Sequence, residues 1–377
     1  MRKRRIMKIL LVLALGGILL AGCGKKEKKH VPLPTDPPSP SPTITPSPSP
    51  TPDPHEGMVQ STINGEWITP EQAEKRPFCA TIGNIKEATP QQCGTSDADI
   101  IYECTMEGGI TRLMGVFSDI SGLKKLGSSR SARNYFVSLC REYDGIFVHF
   151  GQSKYAKTQM ANMDDFDHLN GVEGIGETVF YRDSDYHAPH NAFTDEEHIM
   201  KGVEIKEFDT KVDPNMPKAK HFAFFEEDSE INGSDAASVS LKFSGYAKAY
   251  FIYNEADKQY YRFQYDAPHK DANTDKQLAF KNLIVQFVTE SSMDEEDHQQ
   301  IELDDVTDSG YYITNGKVEE ITWSRDEETN DMQYFDSTGQ LLTINPGKTY
   351  IALFPNDKKE NITFNDHEGE TIASGDE

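Results

Sequence analysis

Positive charge is scarce in this chain of 377 residues. Its 38 Lys and Arg face 62 Asp and Glu, a formal net charge of −24. A field of that sign repels DNA, RNA and anionic lipid, so no nucleic acid is expected as a partner, and only a local basic patch would override the repulsion. Long apolar runs are also missing: the stretch from Ile9 to Leu20 falls short of the ~20 residues of a membrane-spanning helix. No GxxxxGK[ST], GxSxG, HExxH or EF-hand pattern occurs, which removes the phosphate-loop, serine-hydrolase, zincin and calcium-loop readings. Cysteines number five, none at CxxC spacing, so neither a metal nor a redox cofactor is expected. No repeat with a period of 20–50 residues stands out. What remains is 36% hydrophobic and 10% aromatic residues, enough to build a core and to exclude a wholly disordered chain. The length suits about two domains.

The N-terminus reads as an address. Arg2, Lys3, Arg4, Arg5 and Lys8 precede the apolar run, which ends in Leu20-Ala21-Gly22-Cys23. Small residues before a Cys resemble a bacterial lipobox, so residues 1–22 are expected to be a lipoprotein signal peptide and Cys23 the lipidated first residue of the mature chain. Two acyl chains suffice for stable anchoring. Residues 23–57 then form a tether, first Lys-rich (Lys25, Lys26, Lys28, Lys29) and then holding 11 of the 20 prolines. Alternating Pro cannot build helices or sheets and favours an extended chain that would reach roughly 80 Å.

The fold class expected is α+β. In residues 58–225, apolar stretches at Phe78–Ile82, Ile100–Cys104, Leu113–Phe117 and Gly145–Phe150 alternate with a helical pattern over Ser131–Tyr143, which predicts a layered α/β domain. Residues 226–355 read as mostly antiparallel β, with alternation at Val239/Leu241/Phe243 and Tyr261/Phe263/Tyr265, one helix near Asp275–Asn282, and a hairpin at Asn315-Gly316. The acidic, polar residues 356–377 are expected to be a disordered tail. Cys79, Cys93, Cys104 and Cys140 allow three pairings in an exported protein, and spacing does not choose among them.

One feature inverts the local charge. Arg112, Lys124, Lys125, Arg130, Arg133 and Arg141 crowd a segment whose lone acid is Asp119. If the helix includes Arg130, then Arg130 and Arg133 share a face at i, i+3 and can grip a phosphate or carboxylate, with Gly127-Ser128-Ser129 supplying N–H groups at the helix start. The competing reading pairs these arginines with Glu103 and Glu107. Gly108-Gly109 reads as a tight turn. His149 ends an apolar strand, where a structural role competes with a site role. His187, His190, Glu196, Glu197 and His198 read as a polar loop rather than a zinc site, and Asp294–Asp297 as a solvated acidic stretch. The tyrosines of the second half read mainly as sheet-face packing.

Several segments in order resemble a known family: Arg76-Pro77-Phe78, Ala98–Glu103, Glu107–Arg112, Ser129–Arg133, Pro189-His190-Asn191, Gly310-Tyr311-Tyr312, Ile321-Thr322-Trp323 and Asn345–Tyr350. Together they resemble the YerB-like bacterial lipoproteins. That resemblance implies a lipid-anchored extracytoplasmic protein of Gram-positive cells with an α+β first domain, and it brings no activity to transfer. Gln152 stands where the family tends to have a paired-glycine turn.

The function expected is therefore a lipid-anchored protein on the extracytoplasmic face of the cell membrane, acting as a non-enzymatic binder or scaffold. Arg112, Arg130, Arg133, Glu103, His149, His190 and Asn191 would recognise an anionic or carboxylate-bearing group of wall glycan, teichoic acid or an envelope protein. The alternative is a wall-polymer hydrolase with Glu103 or Glu107 as acid/base and His149 or His190 as second proton carrier.

Overall fold

The computed structural model describes residues 53–213, 221–304, 306–326 and 331–367. Cys23 and the signal peptide and tether expectations for residues up to 52 lie outside the described residues. From Asp53 onward the chain is one compact unit. Strands far outnumber helices, and no described helix is long and apolar enough to cross a membrane.

The apolar runs become strands of a twelve-stranded sheet. Phe78–Gly83, Ile100–Thr105 and Thr111–Phe117 are buried at every position, as continuous hydrophobic strands covered on both faces must be. Ile100–Thr105 and Thr111–Phe117 form an antiparallel hairpin, with Glu103 opposite Leu113 and Cys104 opposite Arg112. Phe78–Gly83 lies antiparallel beside Thr111–Phe117 and parallel to Ile146–His149.

The expected break near residue 225 does not divide this sheet. Thr349–Pro355, close to the chain's C-terminal end, runs parallel to Asn282–Ser292 on one side and parallel to Ile100–Thr105 on the other. One strand of the second half thus joins the two halves. The Asn315-Gly316 hairpin forms, with Thr314 opposite Lys317 and positive φ at both turn residues, 50° and 72°, which is what a two-residue turn between twisted strands requires.

A second sheet, in the order Ala267–Pro268, Gln259–Gln264, Lys248–Asn254, Ser238–Lys242 and Ile362–Phe364, covers one face of the first. Leu241, Phe243 and Phe251 pack with Ile101, Leu113, Val285 and Ala352. Phe251 meets Tyr350 at 4.7 Å between ring centroids. The helix Asn134–Arg141 covers the opposite face, burying Tyr135, Phe136, Leu139 and Cys140 with Tyr102, Met114 and Phe147.

Four expectations need correction. The segment near Asp275–Asn282 is not a helix: Asp275 takes a left-handed backbone, and Ala279–Phe280 pairs with Tyr260 and Tyr261. The segment Asn356–Asn361 is a 3-10 helix, and Ile362–Phe364 pairs with Val239–Leu241, so the ordered chain runs past 355. Residues 368–377 lie outside the described residues. The helix begins at Asn134, after Arg133 in extended conformation, so Arg130 and Arg133 do not share a helical face. Gly127-Ser128-Ser129 is no helix start either, since Gly127 pairs with Phe193 and the Ser129 N–H donates to Ala192.

Candidate anion site

A loop, not a helix end, builds the arginine cluster. The Arg130 N–H donates to the Thr81 carbonyl at 3.2 Å, the Phe150 N–H to the Arg130 carbonyl at 2.9 Å, and the Ala132 N–H to the Gly151 carbonyl at 2.9 Å. The Thr81 hydroxyl also donates to the Arg130 carbonyl at 2.5 Å. These bonds stitch residues 128–133 across the C-terminal ends of Phe78–Gly83 and Ile146–His149.

Gly83 explains where the Arg130 side chain goes. A Cβ on Gly83 would lie 3.1 Å from Arg130 Cγ, 3.3 Å from its Cδ and 3.4 Å from Ser128 Oγ. The Arg130 stem therefore occupies the place of the absent side chain. Gly83 is opposite Arg112 in the antiparallel register, and opposed residues share a sheet face. Arg112 and Arg130 thus lie on the same, helix-covered face.

Their partners are unusual for so acidic a chain. Arg112 is only 7% exposed, and its Nη1 donates to the Ser131 carbonyl at 2.6 Å. Arg130 Nη1 donates to the Pro189 carbonyl at 3.0 Å. Among the described residues, neither guanidinium forms an ion pair with a carboxylate. Arg133 does: it holds Glu107 bidentately, at 2.8 and 2.9 Å. Burial, then repulsion from Arg133 and Arg130, pulls the Arg112 pKa down to about 9 against the opposing pull of Tyr135 and Glu107. Burial and Arg133 lower Arg130 in the same direction. Burial raises the Glu107 carboxyl, but Arg133 outweighs it and leaves the group below its usual value.

Unmet polar atoms lie alongside. Ser128 Oγ, Ser129 Oγ and His190 Nδ1 are buried with no hydrogen-bond partner among the described residues. Burial and the neighbouring Arg130 lower the His190 pKa, favouring the neutral ring. Such a set (two uncompensated guanidiniums, hydroxyls and a neutral imidazole) can accommodate an oxyanion.

The other expected residues go elsewhere. Glu103 faces the second sheet, where Arg262 Nη2 donates to it at 2.6 Å and the Tyr350 hydroxyl at 2.7 Å. Asn84 and Thr111 fill its other oxygen at 3.0 and 2.6 Å. Arg262 continues to His269, whose Nε2–H reaches Gln92 Oε1 at 2.5 Å. Glu103 is therefore a buried structural counterion, and an acid/base role is corrected by its closed surroundings. His149 is buried too, bonded to the Gly151 carbonyl at 2.8 Å and to His168 Nδ1 at 3.0 Å. Burial, chiefly, pulls its pKa down to about 3. Asn191 turns its Oδ1 to Arg182 Nη1 at 2.6 Å. Arg182 stacks over Phe150 beside an open groove of about 690 Å³ that also includes Val172, Glu173 and Glu177. No signal in the sequence marked Arg182, Arg262 or His269: Arg262 lies 159 residues from Glu103 and His269 177 from Gln92, and the nearer pair of Arg182 with Asn191 has no motif of its own.

His190 and His198 do not converge: His198 bonds Asp195 at 2.7 Å. Asp294, Glu296 and His298 do lie together, but Asp294 already accepts from Lys154 at 2.7 Å and Tyr155 at 3.0 Å.

Comparisons with known proteins match two segments of the chain. Residues 63–209 match the model described as "Protein of unknown function (DUF3048) N-terminal domain", and residues 239–351 match its C-terminal counterpart. A relative from Bacillus subtilis (strain 168), "Putative lipoprotein YerB", is 29% identical over 300 residues, spanning 79% of this chain and 86% of the relative. The crystal structure of YerB from Bacillus subtilis is similar with a TM-score of 0.69 and 28% identity, covering 81% of this chain and 99% of that one. With both matched segments in order and a solved relative aligned over nearly its whole length, the chain belongs to the two-domain DUF3048 family of YerB-like proteins.

Proposed function

We propose that this protein is a lipid-anchored envelope protein that binds an anionic group of a wall polymer at Arg112 and Arg130. Cys23 carries the lipid, residues 24–57 hold the folded part off the extracytoplasmic face of the membrane, and residues 58–225 and 226–355 are the two family units sharing one sheet. The relative's description as a lipoprotein supports the anchor.

The observation that carries the binding site is the burial of Arg112 without an ion-paired carboxylate among the described residues, in a chain where acids outnumber bases 62 to 38. An uncompensated buried charge costs several kcal/mol, so an external counterion is the simplest relief. Phosphate of teichoic acid and carboxylate of wall peptide both meet that chemistry. Hydrolysis has no observation in its favour, because Glu103 and His149 are enclosed and Glu107 is held by Arg133.

The test is a thermal-shift titration of the purified chain with inorganic phosphate, teichoic-acid fragments and muropeptides, beside Arg130→Ala. A ligand at about 100 times its Kd stabilises by ~2.7 kcal/mol, which moves the midpoint measurably. A shift lost in Arg130→Ala supports the reading, and no shift with any of the three overturns it. Anchoring is tested separately by incorporation of labelled fatty acid, expected to vanish in Cys23→Ala.

A further inference from the structure

Two cysteines meet in the interior. Cys79 lies on Phe78–Gly83 and Cys140 in the last turn of Asn134–Arg141, and both are 0% exposed. A Cβ built on Gly145 would lie 2.8 Å from Cys79 Sγ and 3.0 Å from Cys140 Sγ. One point is thus within van der Waals reach of both sulfurs, and the Cys140 thiol donates to the Gly145 carbonyl at 3.3 Å. That crowding, not a positive φ, is what requires glycine at 145. The remaining thiols are engaged elsewhere: Cys93 donates to the Gln91 carbonyl at 3.3 Å, and Cys104 sits opposite Arg112 on another strand. All four are free thiols in the structure.

We propose that Cys79 and Cys140 are a disulfide site, closed when the exported chain meets an oxidising disulfide. The chemistry is thiol–disulfide exchange. One cysteine thiolate attacks the oxidant's S–S bond, forming a mixed disulfide and releasing one thiol. The second cysteine thiolate then attacks the protein sulfur of that mixed bond, forming Cys79–Cys140 and releasing the second thiol. The two cysteine protons end on the two released thiols, so the protein loses two electrons and the oxidant gains them. Neither sulfur has any surface in the folded chain, and burial chiefly, with the thiol contact, raises the Cys140 pKa. The exchange therefore precedes docking of the helix Asn134–Arg141 on the sheet. The product would tie that helix to the sheet beneath the arginine loop.

The test is to unfold the full chain in denaturant, refold it with oxidised glutathione, alkylate, and map the peptides. The expected result is the mass loss of two hydrogens, located in one cross-linked peptide pair containing Cys79 and Cys140. Cys93 and Cys104 should be alkylated once the refolded chain is unfolded without reductant. The melting midpoint should exceed that of the reduced sample by about 5 °C. Full alkylation of Cys79 and Cys140 after oxidative refolding overturns the proposal, as does a linkage through Cys23, Cys93 or Cys104. The map of the unmutated chain decides the matter even if Cys140→Ser fails to fold; if that variant folds, its midpoint should no longer respond to reductant.

Discussion

Glu103 and Arg112 belong to one antiparallel hairpin and point to opposite sides of it. Cys104 is opposite Arg112, so Glu103 is one residue out of step, and a one-residue step in a strand changes the face. Glu103 consequently meets Arg262 from the second sheet, and Arg112 meets the loop that holds Arg130.

The two arginine environments should differ sharply in their contribution to stability. Glu103→Gln leaves the Arg262 guanidinium buried without its counterion, and should cost about 3 kcal/mol. Arg133→Ala breaks a partly exposed pair with Glu107, and should cost less than ~1 kcal/mol after solvent screening. Urea unfolding of both variants checks the ranking; equal losses would contradict the faces assigned here.

Gly83→Ala should separate binding from folding. Its methyl would displace the flexible Arg130 stem, 3.1 Å away, while the strand's backbone conformation suits alanine. The expected outcome is a near-normal melting midpoint with a weakened phosphate-induced shift. A full shift in this variant would mean that Arg130 does not contact the anion.

Stability should fall as the medium turns acidic, beginning near pH 6.5. Burial holds His149 down to about 3, His221 to about 4 and His269 well below its ordinary value. The unfolded chain takes up protons at these rings near 6.5 while the folded chain refuses them, so unfolding gains. Each ring removes up to ~1.4 kcal/mol per pH unit below that point. Denaturant midpoints from pH 7.5 to 5 measure the slope, and His221→Gln should make it shallower. A flat profile in the unmutated chain would falsify the neutral-imidazole assignment.

Neither half should fold alone. Ending the chain before Thr349 removes the strand between Asn282–Ser292 and Ile100–Thr105, exposing two apolar edges. Circular dichroism and limited proteolysis of residues 53–213 are expected to report a largely unfolded, rapidly cleaved fragment. A stable, cooperative melt of that fragment would show that the seam is dispensable.

Local signals in this sequence were readable and remote ones were not. Asn315-Gly316 announces its hairpin because both turn residues need a positive φ that few residues tolerate. The apolar run Ile100–Cys104 shows itself as core, but its register against Thr111–Phe117 decides which way Glu103 points. Arg130 and Arg133 stand out by charge, whereas the loop leading to the extended Arg133 is fixed by bonds of Arg130 and Ala132 to Thr81, Phe150 and Gly151. Ile362–Phe364 is a three-residue strand inside polar sequence, recognisable only when paired with Val239–Leu241. Arg262 is 159 residues from Glu103, and nothing near either residue names the other.

The seam strand also sets the order of events in the life of the chain. Thr349–Pro355 is made long after its neighbour Ile100–Thr105, yet the sheet has its middle there. Everything made before it lacks its central neighbour, and the pairings that complete the core span hundreds of residues, the kind that form slowly. A chain built this way stays loose until this strand has been made. Synthesis of the first strands and acquisition of their final pairing are thereby kept apart by the topology itself.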